Sequence, residues 1–314
     1  MAFHKHFITI SNVVLFTSFF LSLFAPKSYS SKIFASAASY FSDKDLLEFP
    51  LNLEYLEAEF FLFGSLGYGL DIASPDLAQG GPSPIGGRLA QLDPLTKDII
   101  LQFGLQEVGH LRAIKSTVKG FPRPLLNISS QVFATIMNKA FGRPLNPPFD
   151  PYANSINYLL VTYVIPYVGL TGYVGANPML QNTTSKQLVA GLLGVESGQD
   201  AVTRALLYER KHELVAPYAI TVAEFTDRIS KLRDRLGNAG LKEDEGLVVP
   251  KDEGSEGKVS GNVLSANTNS LSYGRTPQQI LRIVYGTGSE SIPGGFYPEG
   301  AHGRIAQSYN NLHP

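Results

Sequence analysis

From Ser42 onward the apolar positions recur at three- and four-residue intervals. Leu46, Leu47, Phe49, Leu53, Leu56, Phe60 and Phe63 mark one helical run, opened by Ser42-Asp-Lys-Asp45 in the form of a capping box. Pro50 falls inside the run and sets a helix start near itself, because a first-turn proline forfeits no hydrogen bond. Gly64, Gly67 and Gly69 end it, and residues 71–92, rich in Gly and Pro, read as a loop. Asp93-Pro94 then opens a second helix that runs to Lys119-Gly120. The same spacing predicts a short helix over 130–141, a third long helix over 152–176 and a fourth over 184–213. A fifth covers 221–236 and stops at Gly237. Pro166 lies mid-way along the third and should kink it. Four long helices of comparable length with an extra one predict an all-α bundle over residues 42–240.

Beyond Gly240 the pattern changes. Residues 241–314 are rich in Gly, Ser and Asn, with helical spacing confined to 277–285. Val248, Val263, Leu264, Tyr273, Phe296 and Tyr297 give this stretch too many large apolar groups for a solvated linker, so it reads as an extended arm packed on the bundle. At the other end, Lys5 precedes an apolar stretch from Phe7 to Ala25, followed by Ser28, Ser30 and Ser31. A basic start, an apolar run and a small-residue exit describe a signal peptide over residues 1–30, and no later apolar run is expected to span a membrane. Secretion would expose two glycosylation sequons, at Asn127 and Asn182.

Composition narrows the chemistry. Lys and Arg number 26 against 27 Asp and Glu, a balance that offers no attraction to nucleic acid or an anionic membrane. Cysteine is absent, which excludes disulfides, thiolate metal sites and cysteine nucleophiles. The predicted second helix carries Glu107-Val-Gly-His110, a carboxylate and an imidazole on one face among apolar neighbours, and a buried Glu there needs a cation or a donor. The first helix offers Glu54 and Glu57 on a shared face, while Glu59 falls on another face and is expected in solvent. The fourth offers Glu196-Ser-Gly-Gln199. A two-metal carboxylate bundle takes Glu-x-x-His from two helices and a lone Glu from each of the others. Here the second pair reads Glu-x-x-Gln, and no Asp or Glu occurs between Pro151 and Val195. The third helix carries tyrosines instead, of which Tyr158, Tyr163 and Tyr167 are candidates to line a pocket.

The segments Leu53-Glu-Tyr-Leu-Glu-Ala-Glu-Phe60, Gln106-Glu-Val-Gly-His110 and Val195-Glu-Ser-Gly-Gln-Asp-Ala201 resemble the plant desiccation-related proteins of the ferritin-like superfamily. The tail, with Arg275-Thr-Pro, Leu281-Arg-Ile-Val-Tyr-Gly286 and Pro293-Gly-Gly-Phe-Tyr297, resembles them too. The resemblance implies a ferritin-like four-helix bundle, secretion to the apoplast or cell wall, and a stress-associated role. It places Glu54, Glu107, His110 and Glu196 at metal-ligand positions, with Glu57 assisting. Gln199 stands where the second histidine belongs, and Pro166 or Tyr167 near where the third-helix acid belongs. The leading expectation is therefore a secreted desiccation-related protein with a degenerate iron or manganese centre, acting by protection or binding. Two alternatives stand beside it. One is a metal-independent acid–base enzyme of isomerase or cyclase type, working on a small plant metabolite through Glu107 and His110. The other is a metal-dependent oxidase.

Overall fold

The computed structural model describes residues 41–238 and 240–310, so the expected signal peptide lies outside the described residues. Ser42 Oγ accepts from the Asp45 amide while the Asp45 carboxylate accepts from the Ser42 amide at 2.8 Å, closing the box that starts α1, Asp43–Glu48. Pro50 splits the run, and α2, Leu51–Leu66, follows it. Gly67, at φ 83°, ends α2 in the left-handed conformation that glycine adopts without strain. The stretch expected to be loop contains two single turns, α3 at Leu70–Ala73 and α4 at Pro75–Ala78. Asp93 caps α5, Pro94–Thr117, through the Thr96 amide at 3.0 Å. Ser130–Phe141 forms α6.

The third long run is two helices, α7 at Ser155–Thr162 and α8 at Pro166–Ala176. The break lies over the three residues before Pro166, whose missing N–H and ring cannot continue α7. Among the described residues Ser155–Met179 is long and apolar enough to cross a membrane, contrary to the expectation that no such run recurs; 83% of its most apolar window is buried, as in a core helix. Asn182 caps α9, Thr183–Glu209, through the Thr184 amide at 2.7 Å. An unanticipated antiparallel hairpin, β1 at Leu214–Val215 and β2 at Ile220–Thr221, leads into α10, Val222–Asn238. The long helices pack α2 along α5 and α8 along α9, and the core runs between these pairs.

The C-terminal run adds α11, Pro277–Val284, and α12, Arg304–Asn310, the latter not anticipated. Leu247, Val249, Phe296 and Tyr297 are its buried anchors, whereas Val248 and Leu264 face solvent. Buried arginines hold it to the helices. Arg204 donates to the carbonyls of Glu245, Asn262 and Val263, and Arg233 pairs with Asp244. These donors satisfy backbone carbonyls that have no ladder of their own.

Candidate metal centre

Four helices converge on one buried polar point. Helix α2 presents Glu54 and Glu57 one turn apart, α5 presents Glu107 and His110, and α9 presents Glu196 and Gln199. His110 Nδ1 stands 3.0 Å from Glu54 Oε2, 3.1 Å from Glu107 Oε2 and 3.5 Å from Glu196 Oε1. One ligand atom from each of these four residues lies within 4.8 Å of the other three. None of the glutamates is more than 1% exposed, and His110 is 7% exposed. Tyr173, on α8, donates its hydroxyl to Glu54 Oε1.

Gln199 Nε2 donates to Glu107 Oε1 at 2.5 Å and to Gln106 Oε1 at 3.1 Å. Two acceptors on that side fix the amide nitrogen there and leave Gln199 Oε1 buried without a partner. Both oxygens of Glu57, and both of Glu196, accept no hydrogen bond. The two carboxylates flank Gly169, where a Cβ would stand 3.1 Å from Glu196 Oε2 and 3.4 Å from Glu57 Oε1. Gly169 is therefore the third-helix position that faces the centre, correcting the assignment of Pro166 or Tyr167 to that place. Gly169 and Tyr173, four residues apart, share the inward face of α8.

The charges are mutually dependent. Burial pushes Glu57 and Glu107 well above the usual carboxylate range, and the surrounding glutamates push them further. Glu196 is pushed up to about 7 by burial, against the pull of His110. Burial acts on Glu54 the same way, but His110 and the Tyr173 hydroxyl outweigh it and hold Glu54 below its ordinary value. Burial would discharge His110, yet Glu54, Glu107 and Glu196 keep its proton bound far above the ordinary imidazole range. Four carboxylates cannot all ionise around one imidazolium away from water. Orphaned carboxylate and amide oxygens beside an imidazole are donors suited to iron or manganese, and a cation would let the protons leave. Glu54, Glu107, His110 and Glu196 fit such an ion, with Glu57 and the Gln199 oxygen next to them.

The structure does not bring Tyr158, Tyr163 and Tyr167 into this centre. Tyr158 donates to the Phe60 carbonyl at 2.6 Å, Tyr163 to Glu245 O at 3.0 Å, and Tyr167 to Ser265 Oγ at 3.0 Å. The pocket expected from these three rings is thus replaced by core packing and by anchorage of the C-terminal run. Glu59, expected in solvent, is fully buried and pairs with the equally buried Arg123. Of the two sequons, Asn182 is exposed, while half-buried Asn127 has its side-chain oxygen engaged by Ser129 at 2.7 Å. Tyr173, a third-helix tyrosine not counted among the pocket candidates, is the one whose hydroxyl caps a buried acid of the centre, Glu54.

A helical bundle with a carboxylate–imidazole cluster at its centre is the architecture of a ferritin-like protein. The model of the ferritin-like domain matches residues 42–209, and the chain belongs to that family. It is 56% identical over 287 residues to the desiccation-related protein PCC13-62 of Craterostigma plantagineum, covering 91% of each chain, and is a homologue of it. It is also 59% identical over 268 residues to the ferritin-like catalase Nec2 of Nesocodon mauritianus, covering 85% of this chain and 86% of that one. No solved structure matches.

Proposed function

We propose that this protein disproportionates hydrogen peroxide to water and dioxygen at iron or manganese held by Glu54, Glu107, His110 and Glu196. The observation that carries the reading is the set of buried oxygens on Glu57, Glu196 and Gln199 that accept no hydrogen bond, beside the Glu54–Glu107–His110 contact. The similarity to a protein named as a ferritin-like catalase supplies the reaction class. A bound iron or manganese ion would supply the redox cycling that peroxide disproportionation requires. The chain's part is to exclude bulk water, hold the ligands and manage protons. Glu57, buried beside Glu196 and outside that ligand set, is positioned to take a proton from peroxide and return it. Gln199 and Tyr173 keep Glu107 and Glu54 in place through hydrogen bonds. Residues 1–30 direct the product to the secretory path, where removing peroxide suits a desiccation-associated role; N-terminal sequencing of the secreted chain tests that part.

The test is metal content by plasma mass spectrometry together with dioxygen release from peroxide. Wild-type protein should carry iron or manganese and evolve dioxygen, and Glu107→Gln and His110→Ala should lose both. Metal-free protein after loading, or equal dioxygen release from the variants, would refute the assignment. The acid–base reading through Glu107 and His110 is supported by the elevated, buried Glu107 and predicts chemistry that survives chelation.

A further inference from the structure

A cavity of about 310 Å³ opens between α6, α10 and the C-terminal run, and no residue of the metal centre lines it. Its wall is apolar, built by Val132 and Ile136 of α6, Ile229 and Leu232 of α10, Ile283 of α11, and Phe296. These side chains come from three separate stretches of chain, so the cavity exists only where the C-terminal run lies on the bundle. Dry apolar cavities of about 150 Å³ already take up benzene-sized molecules, and sites for small ligands begin at roughly 300 Å³. Two cationic side chains border it. Arg233 closes one side, but its guanidinium is committed to Asp244 and to the carbonyls of Tyr163 and Val164. Lys139 is different. Its ammonium is pinned at the rim by the Gly286 carbonyl at 2.7 Å and forms no ion pair among the described residues. An apolar cleft with a solvent-exposed ammonium at its rim, held by one hydrogen bond and by no carboxylate, is complementary to a compact apolar anion.

We propose that this cavity binds a small aryl or medium-chain alkyl carboxylate, its hydrocarbon among Ile136, Ile229 and Phe296 and its carboxylate on Lys139. Such a ligand spans the bundle and the C-terminal run, so binding also stabilises their contact. The test is calorimetric titration of the full chain with cinnamate and decanoate, with methyl cinnamate as the uncharged comparison. Cinnamate should bind at least tenfold more tightly than its ester. Lys139→Met should erase that difference while leaving the ester's affinity in place, and Ile136→Trp should fill the cavity and abolish binding of both. The chain contains no tryptophan, so the emission of that single indole reports whether it is buried in the cavity. If Ile136→Trp does not fold, Lys139→Met and the acid–ester comparison decide alone. No binding of either acid at millimolar concentration, or equal binding of acid and ester by the wild type, would overturn the proposal.

Discussion

Removing one hydroxyl tests the electrostatic account of the centre. In Tyr173→Phe the ring stays in place and Glu54 Oε1 loses the donor that α8 supplies. The acceptor is fully buried and held ionised, so the lost bond belongs to the charge-assisted class, worth about 1.5–3 kcal/mol. That is a substantial fraction of the roughly 5–15 kcal/mol that keeps a domain folded. Glu54 keeps its contact with His110 at 3.0 Å, which sets the expectation toward the lower half of that range, about 2 kcal/mol. The pH dependence has a fixed sign. Glu54 sits below its unfolded value, so its stabilisation is complete above that value and is lost as pH falls through the folded one. The penalty of Tyr173→Phe should therefore be largest near neutrality and shrink on acidification. Urea unfolding of chelated wild type and variant, at pH 7 and again near pH 4, measures both. A difference under about 0.5 kcal/mol at pH 7, where ordinary surface substitutions fall, would refute the reasoning. So would a penalty that grows on acidification.

Three further substitutions probe other buried groups. Asp200 is pushed up to about 6 by burial despite Arg204 and Arg233, so ionising it costs the folded state stability as pH rises from 4 to 6. Asp200→Asn removes that cost, and thermal unfolding should show a gain on the order of 3 kcal/mol at pH 8 that vanishes at pH 4. Arg123→Met strands Glu59 without its cation and should destabilise by about 3–5 kcal/mol in denaturant unfolding, with Glu59→Leu in the same chain recovering much of it. Gly64→Ala would place a Cβ 2.0 Å from Tyr158 Oη and 2.3 Å from its Cζ. A melting-temperature drop equivalent to about 3 kcal/mol should follow, and Tyr158→Phe should not restore it, because the ring itself obstructs.

Helix spacing made the bundle readable, and Glu-x-x-His at 107 and 110 made half of the centre readable, because both depend on neighbours within one turn. Glu59 was misread for a reason internal to that method. Periodicity assigns each helix an inner and an outer face, but α2 is buried nearly all round, and the partner that makes Glu59 tolerable, Arg123, comes from 64 residues away. The tyrosines fail in a related way. Tyr163 and Tyr167, four residues apart, lie on one side of the 152–176 run, and Gly169 and Tyr173, four apart, lie on another. The first pair turns to the C-terminal run, and the second turns to the centre. A proline announces that a break occurs, not the angle it produces.

The crowding at Gly169 changes how the missing acid on the third helix is to be understood. A carboxylate at Gly169 would have to share space with Glu57 and Glu196, which already lie within 3.1–3.4 Å of where its Cβ would begin. Glu57, an additional acid on α2, together with Glu196 occupies the room that a side chain at Gly169 would need. The centre thus retains four glutamates, and what it lacks relative to the two-pair pattern is one imidazole. Its replacement, Gln199, donates to Glu107 and keeps its own oxygen directed to no protein donor. A neutral amide in that place lowers the affinity expected of one ligand position without removing the oxygen from it. Metal content should accordingly respond more to Glu57→Gln than to Gln199→Ala, because the first removes a carboxyl group that a bound cation would ionise beside Glu196 and the second leaves all four carboxylates in place. Plasma mass spectrometry on the two variants, loaded side by side, decides the order; equal or reversed losses would place the imidazole's substitute, not the relocated carboxylate, at the heart of the site.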